Sequence, residues 1–169
     1  MELSVVMSVI IRQMEEKDYE AFVGLYEEVY SEYLEFLKNE NPQQYLMELQ
    51  ERAWRKVTPK RFDFYLRTGS SFVAEQDSEV VGYVVSQTIN FMHGIDRLLW
   101  IEYIVVKSNF RRQGIGLALM NKLIDYAKRS DINRIYSTIN PDNEDSIKLH
   151  IKSGFNVKDW KIATYNNVG

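Results

Sequence analysis

Arg111-Arg112-Gln113-Gly114-Ile115-Gly116 stands between an apolar run, Trp100 to Val106, and an amphipathic stretch, Leu117 to Arg129. Strand, tight turn and helix in that order make a seat for a phosphate. Glycines let the backbone turn sharply and approach a bulky anion, and the first N–H groups of a new helix have no partner inside it. The seat therefore comprises Arg111, Arg112, Gln113, Gly114, Ile115, Gly116 and Leu117. Two better-known phosphate loops fit poorly. A dinucleotide fingerprint needs glycine where Leu119 stands, and no Gly-Lys-Ser/Thr of a P-loop occurs.

Composition narrows what can surround that seat. With 169 residues, 45% apolar, the chain reads as one globular domain, 1–169, able to bury a core. The absence of cysteine excludes disulfides and thiolate metal sites. His93 and His150 are too few for an evident metal cage, so no metal is expected. No stretch approaches the roughly 20 apolar residues that span a bilayer, and Met1 to Ile11 lacks the pattern of a signal peptide. A soluble, cytoplasmic protein is expected, with no membrane partner. A net charge of -3 hides a division along the chain. The stretch Glu15 to Glu40 is strongly acidic and the chain from Lys107 onward is basic, which suits a cationic substrate and an anionic cofactor if the two converge. A solvated helix face explains the acidic run equally simply. Basic residues from Arg52 to Arg67 belong to no recognised reader motif in an acidic chain, so nucleic acid is not expected.

The elements that must hold these residues follow from periodicity. Val9-Ile10-Ile11 reads as a strand. Asp18 opens a helix with a stripe of Phe22, Leu25, Tyr26, Val29, Tyr33, Phe36 and Leu37. Asn41-Pro42 opens a second helix, which Thr58-Pro59 ends near Val57. Ser71 to Glu75 and Val80 to Val85 make a hairpin across Gln76 to Glu79. After a loop containing His93-Gly94, Leu98 to Val106 is a third strand of this meander. The helix after Gly116 buries Leu119, Met120, Leu123, Ile124 and Ala127. Arg134 to Ile139 is a strand, Asn143 to Ser153 a helix closed by Gly154, and Phe155 to Tyr165 extends the sheet.

This order resembles the GCN5-related N-acetyltransferase (GNAT) family over nearly the whole chain. The likeness rests on Phe72-Val73-Ala74-Glu75 leading to Val81-Gly82-Tyr83, on Glu102 to Val106, on Arg111-x-x-Gly114-x-Gly116, and on Asn143 to Phe155. The last block, with Glu102, looks most like the diamine and polyamine acetyltransferases. The resemblance implies an α+β fold: a mixed, mostly antiparallel sheet of six to seven strands, helices on both faces, and two parallel strands splayed at the cofactor. Residues 1–70 would form the acceptor side and 98–155 the acetyl-CoA-binding core. It further implies that backbone groups of Ile104, Val105 and Val106 pair with the pantetheine of acetyl-CoA, and that CoA leaves as product. An N–H near Val105 would hold the oxyanion.

Asn143, Ser146 and His150 fall on one helix face, and the resemblance lets them line the arm that leads to the thioester. A simple cap at Asn143 and a small packing residue at Ser146 are the plainer readings. An alkyl ammonium with a pKa of about 10.4 is neutral in roughly one molecule in 2,500 at pH 7, a penalty of about 4.6 kcal/mol. Something must take its proton. Glu102, read as sharing a strand face with Ile104, is the expected base. A solvent-facing glutamate on an edge strand is the alternative. The family commonly has a tyrosine where His150 stands, so His150 is the expected proton donor to sulfur, with Tyr103, Tyr136 and Tyr165 as other candidates.

Tyr26, Glu27 and Tyr30 lie on the helix that borders the acceptor site in this family, and carboxylates among aromatics attract an amine. The expected reaction is direct acetyl transfer to a small amine or polyamine. Acetylation of a protein N-terminus or lysine, and a CoA-binding sensor without turnover, are the alternatives. Only fifteen residues follow Gly154, so the final strands are short, and an unpaired edge there leads to the expectation of a homodimer.

Overall fold

The computed structural model describes residues 8–159, excepting the side chains of residues 53–55. Two compact units divide at Thr138 and Ile139. In the first, β1 (Ile10–Gln13) leads through a 3-10 turn into three consecutive helices, α1 (Tyr19–Glu40), α2 (Pro42–Arg55) and α3 (Pro59–Thr68). Strands β2 (Phe72–Gln76), β3 (Glu79–Met92) and β4 (Ile95–Val106) follow, then α4 (Ile115–Arg129) and β5 (Ile135–Ser137). The second unit contains α5 (Glu144–Lys152). One sheet has the order β1-β2-β3-β4-β5, antiparallel up to β4, with β5 parallel to β4. The α+β class holds, with helices on both faces. Among the described residues there are five strands rather than six or seven: Phe155 to Asp159 form none, and the rest of that expected strand, with Tyr165 and the tail behind the dimer expectation, lies outside them.

The helical differences have local causes. A 3-10 turn, Glu16–Asp18, precedes α1, and the Asp18 carboxylate reaches back to the Glu15 N–H at 2.8 Å instead of capping α1. Buried positions on α1 are Phe22, Leu25, Tyr26, Tyr30, Leu34 and Leu37, while Phe36 is exposed. The expected stripe is thus displaced by one position along its second half. Thr58-Pro59 does end α2, but it also begins α3, which the sequence reading missed. Thr58 Oγ1 accepts from Arg61 N at 3.2 Å and Pro59 occupies the first turn, where a missing N–H costs nothing. Likewise, His93 and Gly94 are no loop but the two-residue turn of a long hairpin. Both have positive φ, and Met92 pairs directly with Ile95.

Strand alternation sorts the two faces of the sheet. Val73, Tyr83, Val85 and Val105 join Phe22, Leu25, Tyr26, Tyr30, Phe62 and Tyr65 in the core beneath α1 and α3. On the opposite face, α4 buries Leu119, Met120, Leu123 and Ala127, and Tyr126 meets the ring of Phe72 edge-on. Gly82 faces α4 where there is no room for a side chain: a Cβ would lie 2.9 Å from the Val105 carbonyl oxygen and 3.4 Å from Leu119 Cδ1. A ladder carbonyl cannot yield as a side-chain tip can. Gly82→Ala is therefore expected to destabilise by about 1 to 3 kcal/mol, read as a lowered urea midpoint with an unchanged slope.

Candidate functional site

The turn after β4 is built as a cradle of main-chain donors. Gly114 takes φ +85 at the cap of α4, a conformation that costs other residues dearly, and Arg112 is also left-handed at φ +64. Ala118 N–H donates to Gly114 O at 3.0 Å, the first bond of the helix. The N–H groups of Ile115, Gly116 and Leu117 therefore have no acceptor within α4. No acidic side chain occupies the first turn, so the positive end of the helix is left to an external anion. The arginines divide. Arg111 Nε donates to Val106 O at 2.9 Å and its guanidinium pairs with Glu32 of α1, so it fastens the loop to the body. Arg112 is exposed, and Gln113 Nε2 donates to Asn109 O at 3.0 Å.

Beside this cradle the sheet opens. Pairing between β4 and β5 stops at Ile101 with Ser137, yet β4 continues to Val106. Lys107 N–H donates to Val81 O at 2.9 Å, which fixes the parity of the strand. By alternation the backbone groups of Val105 face β3, while those of Ile104 and Val106 face the side that β5 has left. Val106 O is taken by Arg111. Of the three residues expected to pair with an amide-bearing arm, Ile104 and Val106 present their backbone to the opening and Val105 does not. A backbone N–H of Val105 is likewise turned toward β3.

Glu102 occupies the point where the strands part. On β3, Val85 and Ser86 are consecutive, but their partners on β4 are Tyr103 and Ile101, so Glu102 is the extra residue of a β-bulge. The bulge breaks the expected alternation. Glu102 shares the α1 face with Tyr103, not the α4 face with Ile104. Gln87 Nε2 donates to Glu102 Oε1. Burial raises the Tyr65 phenol far above its ordinary range, and the negative charge of Glu102 adds to the rise, which brings α3 into the same neighbourhood. Tyr26 meets Tyr103 edge-on with ring centroids 5.5 Å apart and stacks on Tyr30 at 5.8 Å. The Tyr83 hydroxyl is fully buried in this cluster, and no partner for it occurs among the described residues.

The expected acceptor residues fare differently. Tyr26 and Tyr30 are 5% and 9% exposed, so most of each ring is core, and Tyr30 Oη donates to Glu48 O at 3.2 Å. Glu27 faces α2, 3.7 Å from Arg52, in a partly exposed ion pair. Sequence reasoning missed Gln87 and Tyr65. Tyr65 lies on the missed helix, and Gln87 is recognisable only once the bulge is known. A separate cavity of about 820 Å³ beside α1 is lined by Arg12, Asp18, Glu75, Glu79 and Lys107, whose charges pair with one another. Among the described residues no group of three His, Cys, Asp or Glu could hold a metal ion, and no helix is long and apolar enough to cross a membrane.

In the second unit, Asn143 Oδ1 accepts from Ser146 N at 3.0 Å and caps α5. Asn143→Ala is expected to cost about 1 kcal/mol and Asn143→Asp far less, measured by urea denaturation. An additional loss of CoA affinity by calorimetry, beyond that of stability, would mark a cofactor contact. His150 is 2% exposed, and its ring meets Phe155 edge-on. Its Nδ1 lies 2.8 Å from Ser146 O, an acceptor, so Nδ1 carries the hydrogen. Burial lowers its pKa against the opposing effect of that backbone bond. Its Nε2 is buried with no hydrogen-bond partner among the described residues.

Comparison with known proteins places this geometry. The chain is 32% identical over 90 residues to an uncharacterized N-acetyltransferase of Methanocaldococcus jannaschii. That match covers 52% of this chain and 39% of the relative, so the chain spans well under half of that protein's length. Among solved structures, the aminoglycoside N-acetyltransferase AAC(6')-Iy in complex with CoA superposes with a TM-score of 0.71 at 19% identity, covering 99% of this chain and 100% of that one. Naa50 of Arabidopsis thaliana, in complex with a bisubstrate CoA-peptide analogue, superposes at 0.62 and 21% identity, covering 90% of this chain and 85% of that one. At these identities the likeness is one of fold. The acetyltransferase (GNAT) family matches residues 25–155, well over half of the chain, and with the β4 edge that β5 leaves beyond Ile101 and the α4 cradle already described, the chain belongs to that family.

Proposed function

We propose that this protein moves the acetyl group of acetyl-CoA to a primary amine by direct attack in a ternary complex, with a small amine or polyamine as the favoured acceptor. One observation carries the reading. The bulge that turns Glu102 onto the α1 face comes immediately after the last β4–β5 pair, Ile101 with Ser137, so a carboxylate stands where the strand edge opens. Along that same edge lie the backbone groups of Ile104 and the N–H of Val106, and beyond them the N-terminus of α4. The residues fit the cofactor: main-chain donors suit a diphosphate and an unpaired strand edge suits an amide-bearing arm.

Acetyl-CoA, when bound, supplies the activated acyl group. Glu102 takes the proton of the incoming ammonium, directly or through water, and Gln87 holds one carboxylate oxygen while this happens. Tyr26 and Tyr103 form the aromatic wall beside Glu102, which favours a cation with an aliphatic stem. A homodimer and a cytoplasmic site of action belong to the same proposal.

Mass-spectrometric assay of acetyl transfer from acetyl-CoA to spermidine, putrescine, lysine and short peptides tests it. Acetylation of the small amines, with weaker transfer to peptides, is the expected result. Transfer to peptide N-termini alone would favour a protein acetyltransferase. Tight CoA binding by calorimetry with no transfer to any acceptor would make the chain a CoA-binding module.

A further inference from the structure

The contact between Gln87 and Glu102 joins two strands at the one place where their register slips. We propose that Gln87 is the positioning residue for Glu102, holding one oxygen of its carboxylate and leaving the other to receive the acceptor's proton. This inference rests on the reading of Glu102 as the base.

Three observations support it. First, Glu102 is the bulge residue, so no ladder partner on β3 constrains its side chain from directly opposite. A long carboxylate side chain on a bulge keeps rotamer freedom unless another group restrains it. Second, Gln87 pairs with Trp100 across the ladder, two residues along β4 from Glu102, and its amide reaches diagonally to Oε1. A carboxylate only accepts, so the Gln87 amide presents its NH₂ here and its own oxygen points away. Third, both groups are half-buried, where a hydrogen bond to a charged oxygen holds better than it does in water. The charge of Glu102 reaches Tyr65 of α3, which also senses Tyr103 and Arg61, and Tyr103 meets Tyr26 of α1 edge-on. A carboxylate that accepts from a fixed amide donor keeps one geometry.

In Gln87→Met, which keeps length and apolar contacts but removes the donor, kcat for spermidine acetylation at pH 7 is expected to fall about tenfold while KM changes less, the size set by one hydrogen bond to a charged group. The same substitution made in Glu102→Gln is expected to change kcat little further, because no base is left to position. The side-chain amide ¹⁵N signal of Gln87 should differ between the wild-type protein and Glu102→Gln, a readout that survives even if the Gln87 variants misfold. Wild-type kcat in Gln87→Met, an equal further loss in the Glu102→Gln background, or a Gln87 amide signal indifferent to Glu102→Gln overturns the proposal. Undiminished turnover in Glu102→Gln with a changed amide signal leaves the contact intact and removes Glu102 from its role as base.

Discussion

Glu102→Gln is expected to lower kcat/KM for amine acetylation at pH 7 by about a hundred-fold to ten-thousand-fold, the range general bases contribute. The fold and CoA binding should persist. The substituted amide keeps an oxygen that can accept from Gln87 Nε2, so the bulge loses no hydrogen bond. What disappears is the proton acceptor. An amine with a pKa of about 10.4 gains roughly tenfold in neutral fraction for each pH unit above 7 until it approaches that value. The variant's deficit should therefore shrink as pH rises toward 10, because the solvent then does what Glu102 did. Steady-state rates against pH for both proteins, with calorimetric CoA affinity alongside, check this. A variant with undiminished rate at pH 7 removes Glu102 from the chemistry. A deficit that stays constant to pH 10 makes its contribution one of binding.

The cradle after β4 was legible in the sequence because it is local. A glycine that must adopt a left-handed backbone, followed by an apolar period of 3.6, names a turn and a helix within about ten residues. Gly114 takes φ +85, and α4 starts at Ile115, two residues before the expected Leu117, so that Gly116 lies inside its first turn. The surroundings of Glu102 were less legible, because they depend on pairing between distant segments. One inserted residue in β4 sends its side chain to the other face, and strict alternation misassigns it. No composition signal separates the bulge at Glu102 from a regular strand. Thr58-Pro59 shows a third case. The same dipeptide ends one helix and starts another, so α3 and with it Tyr65 went unseen. Register and burial also explain why Tyr26 and Tyr30 are mostly core while Gln87 is part of the candidate site.

Arg12→Ala is expected to destabilise the first unit by about 3 kcal/mol, the lower end of the cost of breaking a buried pair, since Arg12 keeps some exposure to water. For a chain of this length that is about 6 to 12 °C in Tm. Arg12 grips both oxygens of Asp18, at 2.8 and 2.7 Å, and donates from Nε to Glu75 at 2.8 Å. One guanidinium thus joins β1, the turn before α1, and β2, and orients the helix that carries Tyr26 toward the sheet. Asp18 is 2% exposed, and without Arg12 its charge would stay buried with only the Glu15 N–H and a more distant Lys17 to balance it. The pH dependence follows in sign. Burial works against the charged form of Asp18, but Arg12, the Glu15 N–H and Lys17 together hold its pKa below the ordinary 3.8. Its contribution is therefore complete above the unfolded value and is lost as pH falls through the folded one. In Arg12→Ala burial prevails instead, so protonating Asp18 relieves the variant, and the difference from wild type should be largest near pH 7 and narrow toward pH 4. Arg12→Lys keeps the charge but not the two-pronged grip, and should fall between them. Urea denaturation of the three proteins at both pH values separates charge pairing from packing of the arginine stem, because a packing loss would be equal at each.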